Sequence, residues 1–187
     1  LLTSVNSNGF TVSTAGGGTA SNTNGATYVG WQWQAGKGST SSNTNGSITS
    51  TVSVNTTAGF SIVTYTGNGV NPATVGHGLG VAPKMIINKS RSTAGTDWGV
   101  YHASLGNTGA VFLDLTNAFT VNSAYWNNTS PTSTTFCPGS GGASNFNQNG
   151  QTYVAYCFAE IAGFSKFGSY TGNGSADGTF VYTGFRP

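Results

Sequence analysis

Apolar positions in this chain fall in short runs of Val, Ile, Tyr and Phe, and Gly, Asn, Ser or Thr breaks each run within a few residues. No segment shows the 3.6-residue apolar spacing of an amphipathic helix, whereas period-two alternation recurs. Strands are therefore predicted at 10–14, 28–34, 48–54, 60–65, 84–88, 99–102, 110–115, 119–121, 151–161 and 179–182. In 48–54, Ile48, Val52 and Val54 share one face and Thr49, Thr51 and Ser53 the other, the pattern of a half-solvated sheet. Residues Val154 to Ala159 are apolar on both faces, which predicts a central strand, and alternation sends Trp31 and Trp33 to one side together. Asn-Gly pairs begin at Asn8, Asn24, Asn45, Asn68, Asn149 and Asn173; the pair readily adopts the positive φ values of a type I′ turn, so each marks a hairpin or a strand end. The fold class is all-β with essentially no helix, and turns spaced by about 8 to 12 residues indicate β-sandwich or jelly-roll-like modules.

Part of this pattern is written twice. Gly59-Phe60-Ser61 returns as Gly163-Phe164-Ser165, and Gly80-Val81-Ala82-Pro83 as Gly184-Phe185-Arg186-Pro187, both at an offset of 104. Between them Tyr65-Thr66-Gly67-Asn68-Gly69 recurs as Tyr170-Thr171-Gly172-Asn173-Gly174 at an offset of 105, one residue having been inserted. Nearer the start, Asn8-Gly9-Phe10-Thr11-Val12 matches Asn117-Ala118-Phe119-Thr120-Val121 at an offset of 109, and Thr27-Tyr28-Val29 matches Thr152-Tyr153-Val154 at an offset of 125. The growth in offset places an insertion around Tyr125, Trp126, Pro131, Cys137 and Pro138. A period near 100 residues is the size of a domain and too long for a solenoid repeat. The expected organisation is modules in tandem: 1–58 the C-terminal part of one unit plus an extension, 59–162 a complete unit, and 163–187 the start of a further unit. Because Pro83 leads into Met85-Ile86-Ile87, its match at Pro187 suggests a window on a longer polypeptide, or a neighbouring chain that supplies the missing strands.

Composition changes the picture in one respect. Charged residues are only 5% of the chain, against roughly 25% in an average globular domain. Yet 12% is aromatic, so the sequence has core-forming side chains and is not a disordered polar tract. A neutral amide and hydroxyl surface over an aromatic, β-branched core suits side-by-side packing, because few charges must be desolvated on assembly. Six basic and four acidic residues form no basic patch, which argues against nucleic acid as a partner. No run approaches the roughly 20 apolar residues of a membrane helix, and Leu1-Leu2-Thr3-Ser4 has neither a basic n-region nor an h-region, so no membrane partner is expected. Cys137 and Cys157 are read as free thiols, the buried one acting as a small hydrophobe.

Candidate chemistry is thin: no nucleophile elbow, zinc-protease motif, Cys-x-x-Cys or phosphate loop occurs, so no catalytic residue, metal site or cofactor is assigned. Two readings fit Gly76-His77-Gly78 before Pro83: a histidine ligand or base, or a structural turn in which glycines bend the backbone and the imidazole caps it. The second repeat dispenses with the histidine, which favours the turn. Asp97-Trp98-Gly99-Val100-Tyr101-His102 offers stacking rings beside polar groups, with Trp98, Val100 and His102 predicted on one face and Asp97, Gly99 and Tyr101 on the other. Trp98 and Tyr101, with Tyr125 and Trp126 in the insertion, are the candidate contacts for a glycan or protein partner; the alternative is that these rings pack inside the domain.

Gly76-His77-Gly78-Leu79-Gly80-Val81-Ala82-Pro83-Lys84-Met85-Ile86-Ile87, Trp98 to His102, Leu105 to Gly109, Ala118-Phe119-Thr120-Val121 and Tyr153 to Phe158 together resemble an uncharacterised repeat domain of tailed-bacteriophage structural proteins, especially marine ones, including tail fibres. The resemblance covers 59–187, with 9–35 as the end of a preceding copy. It implies a non-catalytic structural protein of the virion, an extracellular particle, whose partners are other copies of itself or other virion proteins. Two alternatives stand beside it: a lectin-like module attaching to a host-surface glycan, and a subunit of a self-assembling extracellular filament. The chain departs from the pattern where Trp31-Gln32-Trp33 replaces Tyr156-Cys157-Phe158, and where 39–53 has no counterpart after Phe164.

Overall fold

The computed structural model describes residues 2–13, 21–140 and 146–186. Two compact units are distinguished, Leu1–Trp33 and Gln34–Pro187. In the first, β1 (Leu2–Asn6) and β2 (Gly9–Val12) form an antiparallel hairpin whose Asn6 faces Gly9 across a turn containing Asn8. Thr3 Oγ1 donates to the Thr11 carbonyl at 3.0 Å and Asn6 Nδ2 to Thr11 Oγ1 at 3.2 Å, side-chain bonds that staple the ladder. Of the strand expected at 10–14, Phe10 to Val12 lie in β2 and Thr14 falls outside the described residues. The strand expected at 28–34 does not form. A strand needs a neighbour for its ladder of hydrogen bonds. Here Tyr28, Val29, Trp31 and Trp33 are exposed, the two indoles meeting edge to face with centroids 6.3 Å apart.

The second unit contains β3 (Ser41–Asn43), β4 (Ser50–Asn55), β5 (Phe60–Thr66), β6 (Val75–Gly76), β7 (Met85–Ser90), β8 (Gly99–His102), β9 (Gly106–Phe112), β10 (Thr120–Val121), the helical turn α1 (Ser123–Trp126), β11 (Thr135–Phe136) and β12 (Thr152–Phe158). Eight strands make one antiparallel sheet in the order β10-β9-β8-β7-β12-β5-β4-β3, and β6 pairs with β11. As its two-sided apolar pattern predicts, β12 lies between β5 and β7. The β4–β5 hairpin runs through residue 58, where a unit boundary was expected, so the 39–53 extension is part of the same sheet as 59–162. The protein is all-β, with a second layer built from the β6–β11 pair, α1 and the segment carrying Phe146.

Alternation decides which face is buried. Ser50 and Val52 on β4, Ser61, Val63 and Tyr65 on β5, Ile86 and Asn88 on β7, Tyr101 on β8, and Tyr153, Ala155 and Cys157 on β12 all point into the core. There they meet Leu79, Tyr125, Trp126, Phe136 and Phe146 from the second layer. One close approach between the layers is at Gly99: a Cβ there would run into the Phe146 ring, so the strand must carry glycine where the ring lies against it. Tyr65 secures the layers by a polar link, its hydroxyl donating to the Phe146 carbonyl at 2.6 Å and accepting from Asn88 Nδ2 at 2.8 Å. Such buried groups must be paired, since an orphaned one costs about 1–3 kcal/mol.

The segment following β12 is different. One bridge joins Ile161 to Ser165, and no strand is assigned from 166 to 186, including 179–182 where one was expected. Phe164, Tyr170, Phe180 and Tyr182 are exposed. Asn173 and Asp177 close a turn, Asn173 Nδ2 donating to the Asp177 carbonyl at 3.1 Å.

Candidate functional site

The four candidate aromatic contacts separate. Trp98 stays on the outer face of the sheet, half-buried, whereas Tyr101, Tyr125 and Trp126 are core residues and present no ring to a ligand. For those three the packing alternative describes what the structure shows. The insertion supplies the reason: Asn122 caps α1, its Oδ1 accepting from the Ala124 amide at 2.9 Å, and Asn127 ends it in the left-handed region at φ 50°. This single turn aims Tyr125 and Trp126 inward. Trp126 meets Tyr101 at 5.8 Å and Phe146 at 4.9 Å, and Tyr125 meets Phe112 at 5.4 Å.

What remains outside is a face organised in rows by strand register. Phe60, Phe158, Met85 and His102 form one row, and Ile62, Tyr156, Ile87, Val100 and Val111 the next. Thr51, Thr64, Val154 and Lys89 follow, then Thr66 and Thr152. The first row is partly covered by Phe167, whose ring lies 6.3 Å from Phe158 and 6.4 Å from His102. Met85 in that row, and Ile62, Ile87, Val111, Val154 and Tyr156 in the middle rows, remain half-buried.

Beyond the apolar rows the face becomes polar and aromatic. Trp98 lies nearly parallel to Tyr156, with centroids 6.4 Å apart and planes 14° apart, and its amide donates to Asp114 Oδ1 at 3.0 Å. Lys89 Nζ sits 5.8 Å from the indole centroid and bonds the Thr96 carbonyl and hydroxyl, a placement that combines cation–π attraction with tethering. An open groove of about 190 Å³ borders the threonine rows, lined by Thr49, Thr51, Thr64, Tyr65, Thr66, Arg91 and Thr152. The Arg91 amide continues the ladder to the Thr152 carbonyl at 2.8 Å, while its exposed side chain forms no ion pair among the described residues. Hydroxyls and a guanidinium beside a flat aromatic pair fit a polyhydroxylated ligand by hydrogen bonding and stacking. Of this set only Trp98 was singled out from sequence; Tyr156 lies on β12 while Lys89 and Arg91 lie on and just past β7, and sheet register brings the two strands together beside Trp98.

At Gly76-His77-Gly78 the imidazole is turned into the core and held by hydrogen bonds. His77 is fully buried; its amide donates to the Thr134 carbonyl at 3.2 Å and its carbonyl accepts from Ser61 Oγ at 2.7 Å. Nδ1 accepts from the Leu79 amide at 3.2 Å, which leaves the proton on Nε2, 3.2 Å from the Thr132 carbonyl. Burial holds this imidazole below the ordinary histidine range, against the smaller opposing pull of the Thr132 bond. Gly78 takes φ 76°, a left-handed conformation that bends the chain beneath Val52 and Val54. Pro83 is also fully buried, just ahead of β7. Cys137 and Cys157 are free and buried, and burial pushes the Cys157 thiol up, out of the reactive range. Among the described residues no three metal-ligating side chains converge.

These features define an all-β module with one closed core and one open, partly aromatic sheet face. The chain belongs to the family described as Domain of unknown function (DUF7483), whose model matches residues 1–187. Neither the curated proteins nor the solved structures yield a match.

Proposed function

We propose that this chain is a non-catalytic structural module of a tailed-bacteriophage virion, one of several β-modules repeated in tandem in a tail fibre, tail or capsid appendage. The observation that carries the reading is the open sheet face, on which Ile62, Met85, Ile87, Val111 and Val154 remain half-buried in a chain with 5% charged residues. Apolar area of this kind beside neutral hydroxyls can be covered by a packed neighbour without desolvating ions. The internal repeat and the resemblance of its motifs to phage structural repeats supply the multi-copy setting. Immunogold labelling of native particles with antibodies raised against the chain tests it. Label at regular intervals on a particle or its appendages is the expected result, and label confined to particle-free material overturns the proposal.

The second reading, recognition of a host-surface glycan, is favoured by the Trp98–Tyr156 pair beside the threonine and Arg91 groove. A titration of the chain with bacterial surface polysaccharides, followed by tryptophan fluorescence, is expected to saturate and to lose its response in Trp98→Ala. A response that persists in that variant, or none in the parent, removes this reading.

A further inference from the structure

The open groove beyond the apolar rows is built on two lines of side chains that run across the strands. Continuing the register of the sheet, Thr49, Thr66, Thr152 and Arg91 stand side by side, just ahead of β4, at the end of β5, at the start of β12 and just past β7. Thr51, Thr64, Val154 and Lys89 form the next line. Neighbouring strands lie about 4.8 Å apart, so a ligand lying across the sheet meets a new side chain at each such step. The sequence neighbours Ser50, Tyr65, Tyr153 and Ser90 are buried, and alternation therefore turns the first line outward.

Charge is distributed unevenly around these lines. Lys89 and Arg91 are two of the six basic residues in the chain, and neither forms an ion pair among the described residues. Lys89 Nζ is tied to the Thr96 carbonyl and hydroxyl, so Arg91 is the cation that faces the groove. No carboxylate lines it. Asp97 and Asp114 belong to the other side of β7, one ahead of β8 and the other past β9, where Asp114 Oδ1 accepts from the Trp98 amide. Glu160 pairs with Lys166 beyond the far end of β12. Five threonines and one guanidinium thus offer a ligand many hydrogen bonds and a single positive charge.

We propose that this groove binds the carboxylate-bearing sugars of an acidic polysaccharide. Arg91 holds a uronate carboxylate with its planar fork of donors, and Thr152, Thr66 and Thr49 bond the hydroxyls that follow across the sheet. The inference rests on the glycan reading above and specifies the class of sugar. From Thr152 to Tyr156, which carries the Trp98 ring, is four residues of strand or about 13 Å, so an oligosaccharide and not a single sugar reaches both the cation and the rings. A nucleic acid also brings anions, but one guanidinium neutralises too little of a phosphate chain to hold it.

Calorimetric titration with polygalacturonate oligosaccharides, and with the same oligosaccharides after reduction of their carboxylates to alcohols, tests it. In low salt the acidic form is expected to bind roughly five to ten times more tightly, the scale of one charge-assisted fork. That difference is expected to vanish in Arg91→Gln, which keeps the backbone bond to Thr152, and in about 1 M NaCl, where the screening length falls to about 3 Å. Thr66→Val, which keeps the β-branched shape and removes one hydroxyl, is expected to weaken both forms by a similar factor. Equal affinity for the two forms overturns the proposal, as does a preference that survives Arg91→Gln, a single-stranded DNA oligonucleotide that binds as tightly as the acidic sugar, or no binding of polygalacturonate. If the two forms bind equally, or neither binds, while bacterial surface polysaccharides still saturate the Trp98 signal, the carboxylate site falls and the glycan reading stands.

Discussion

Replacing Trp126 by alanine is expected to lower the unfolding free energy by about 3–5 kcal/mol, the usual cost of deleting a large aromatic side chain from a closed core. For a domain of this size that corresponds to a fall in Tm of roughly 10 °C, read by thermal unfolding in near-ultraviolet circular dichroism. The indole is 1% exposed and wedged between Tyr101 and Phe146, so its loss opens a void that the rigid sheet on one side cannot close. One term opposes the loss: Nε1 is buried with no hydrogen-bond partner among the described residues, a desolvation cost that alanine removes. That cost is about 1–3 kcal/mol and is smaller than the combined loss of ring area and packing. The same balance predicts that Trp126→Phe, which keeps a ring and removes the orphaned donor, costs less than about 1.5 kcal/mol. A Trp126→Ala protein that unfolds at the parent temperature would place the ring outside the core.

The contrast with Trp31 shows which parts of the fold the sequence discloses. Each tryptophan follows a short apolar stretch, Tyr28-Val29 or Ala124-Tyr125, but of the two Trp126 enters the core, because the Asn122 cap and the left-handed Asn127 turn its short helix toward the sheet. Those two asparagines were readable as turn formers. A four-residue helix leaves too little period to be told from a loop. The longer strands were legible for the opposite reason: β5, β7 and β12 run for six or seven residues each, long enough for their apolar positions to mark a strand, and in β12 for both faces to read as buried. Residues 99–102 were predicted as the strand found at β8. The two-residue strands β6 and β11 owe their existence to partners distant in sequence and had no local signal.

Strand propensity failed at 28–34 and 179–182, where the side chains suit a sheet but no strand forms among the described residues. The candidate site was legible in the same partial way. Trp98 was placed on the correct face, with Val100 and His102, by alternation alone. Its partners were hidden because stacking on Tyr156 and contact with Lys89 depend on the order β8-β7-β12, and that order comes from non-local pairing. The Tyr65, Asn88 and Phe146 link was equally invisible, since it joins residues 81 positions apart across two layers.

His77 gives the second large effect, and its sign follows from burial. The folded state holds the imidazole below its ordinary value of 6.5, so the unfolded chain binds the proton more readily than the native one. The stability His77 contributes is therefore complete above about 6.5 and is lost as pH falls toward and through the depressed folded value. Glu160 has the same sign in a different window, because its hydrogen bond to Lys166 at 2.7 Å holds it below the usual carboxylate range. Urea unfolding between about pH 7.5 and pH 5 isolates the histidine, since free carboxylates titrate lower. The parent protein is expected to lose stability across that interval, and His77→Gln, which keeps hydrogen-bonding capacity without a titrating ring, is expected to hold a nearly level profile. His77→Ala should lose about 3 kcal/mol near pH 7.5, and less as pH falls and the parent itself loses stability, because it removes a fully buried side chain and strands the Leu79 amide and Thr132 carbonyl that the ring satisfies. Parallel profiles for the parent and His77→Gln would mean that the ring takes up its proton without leaving the fold, and that the turn it holds against Thr132 is open to water.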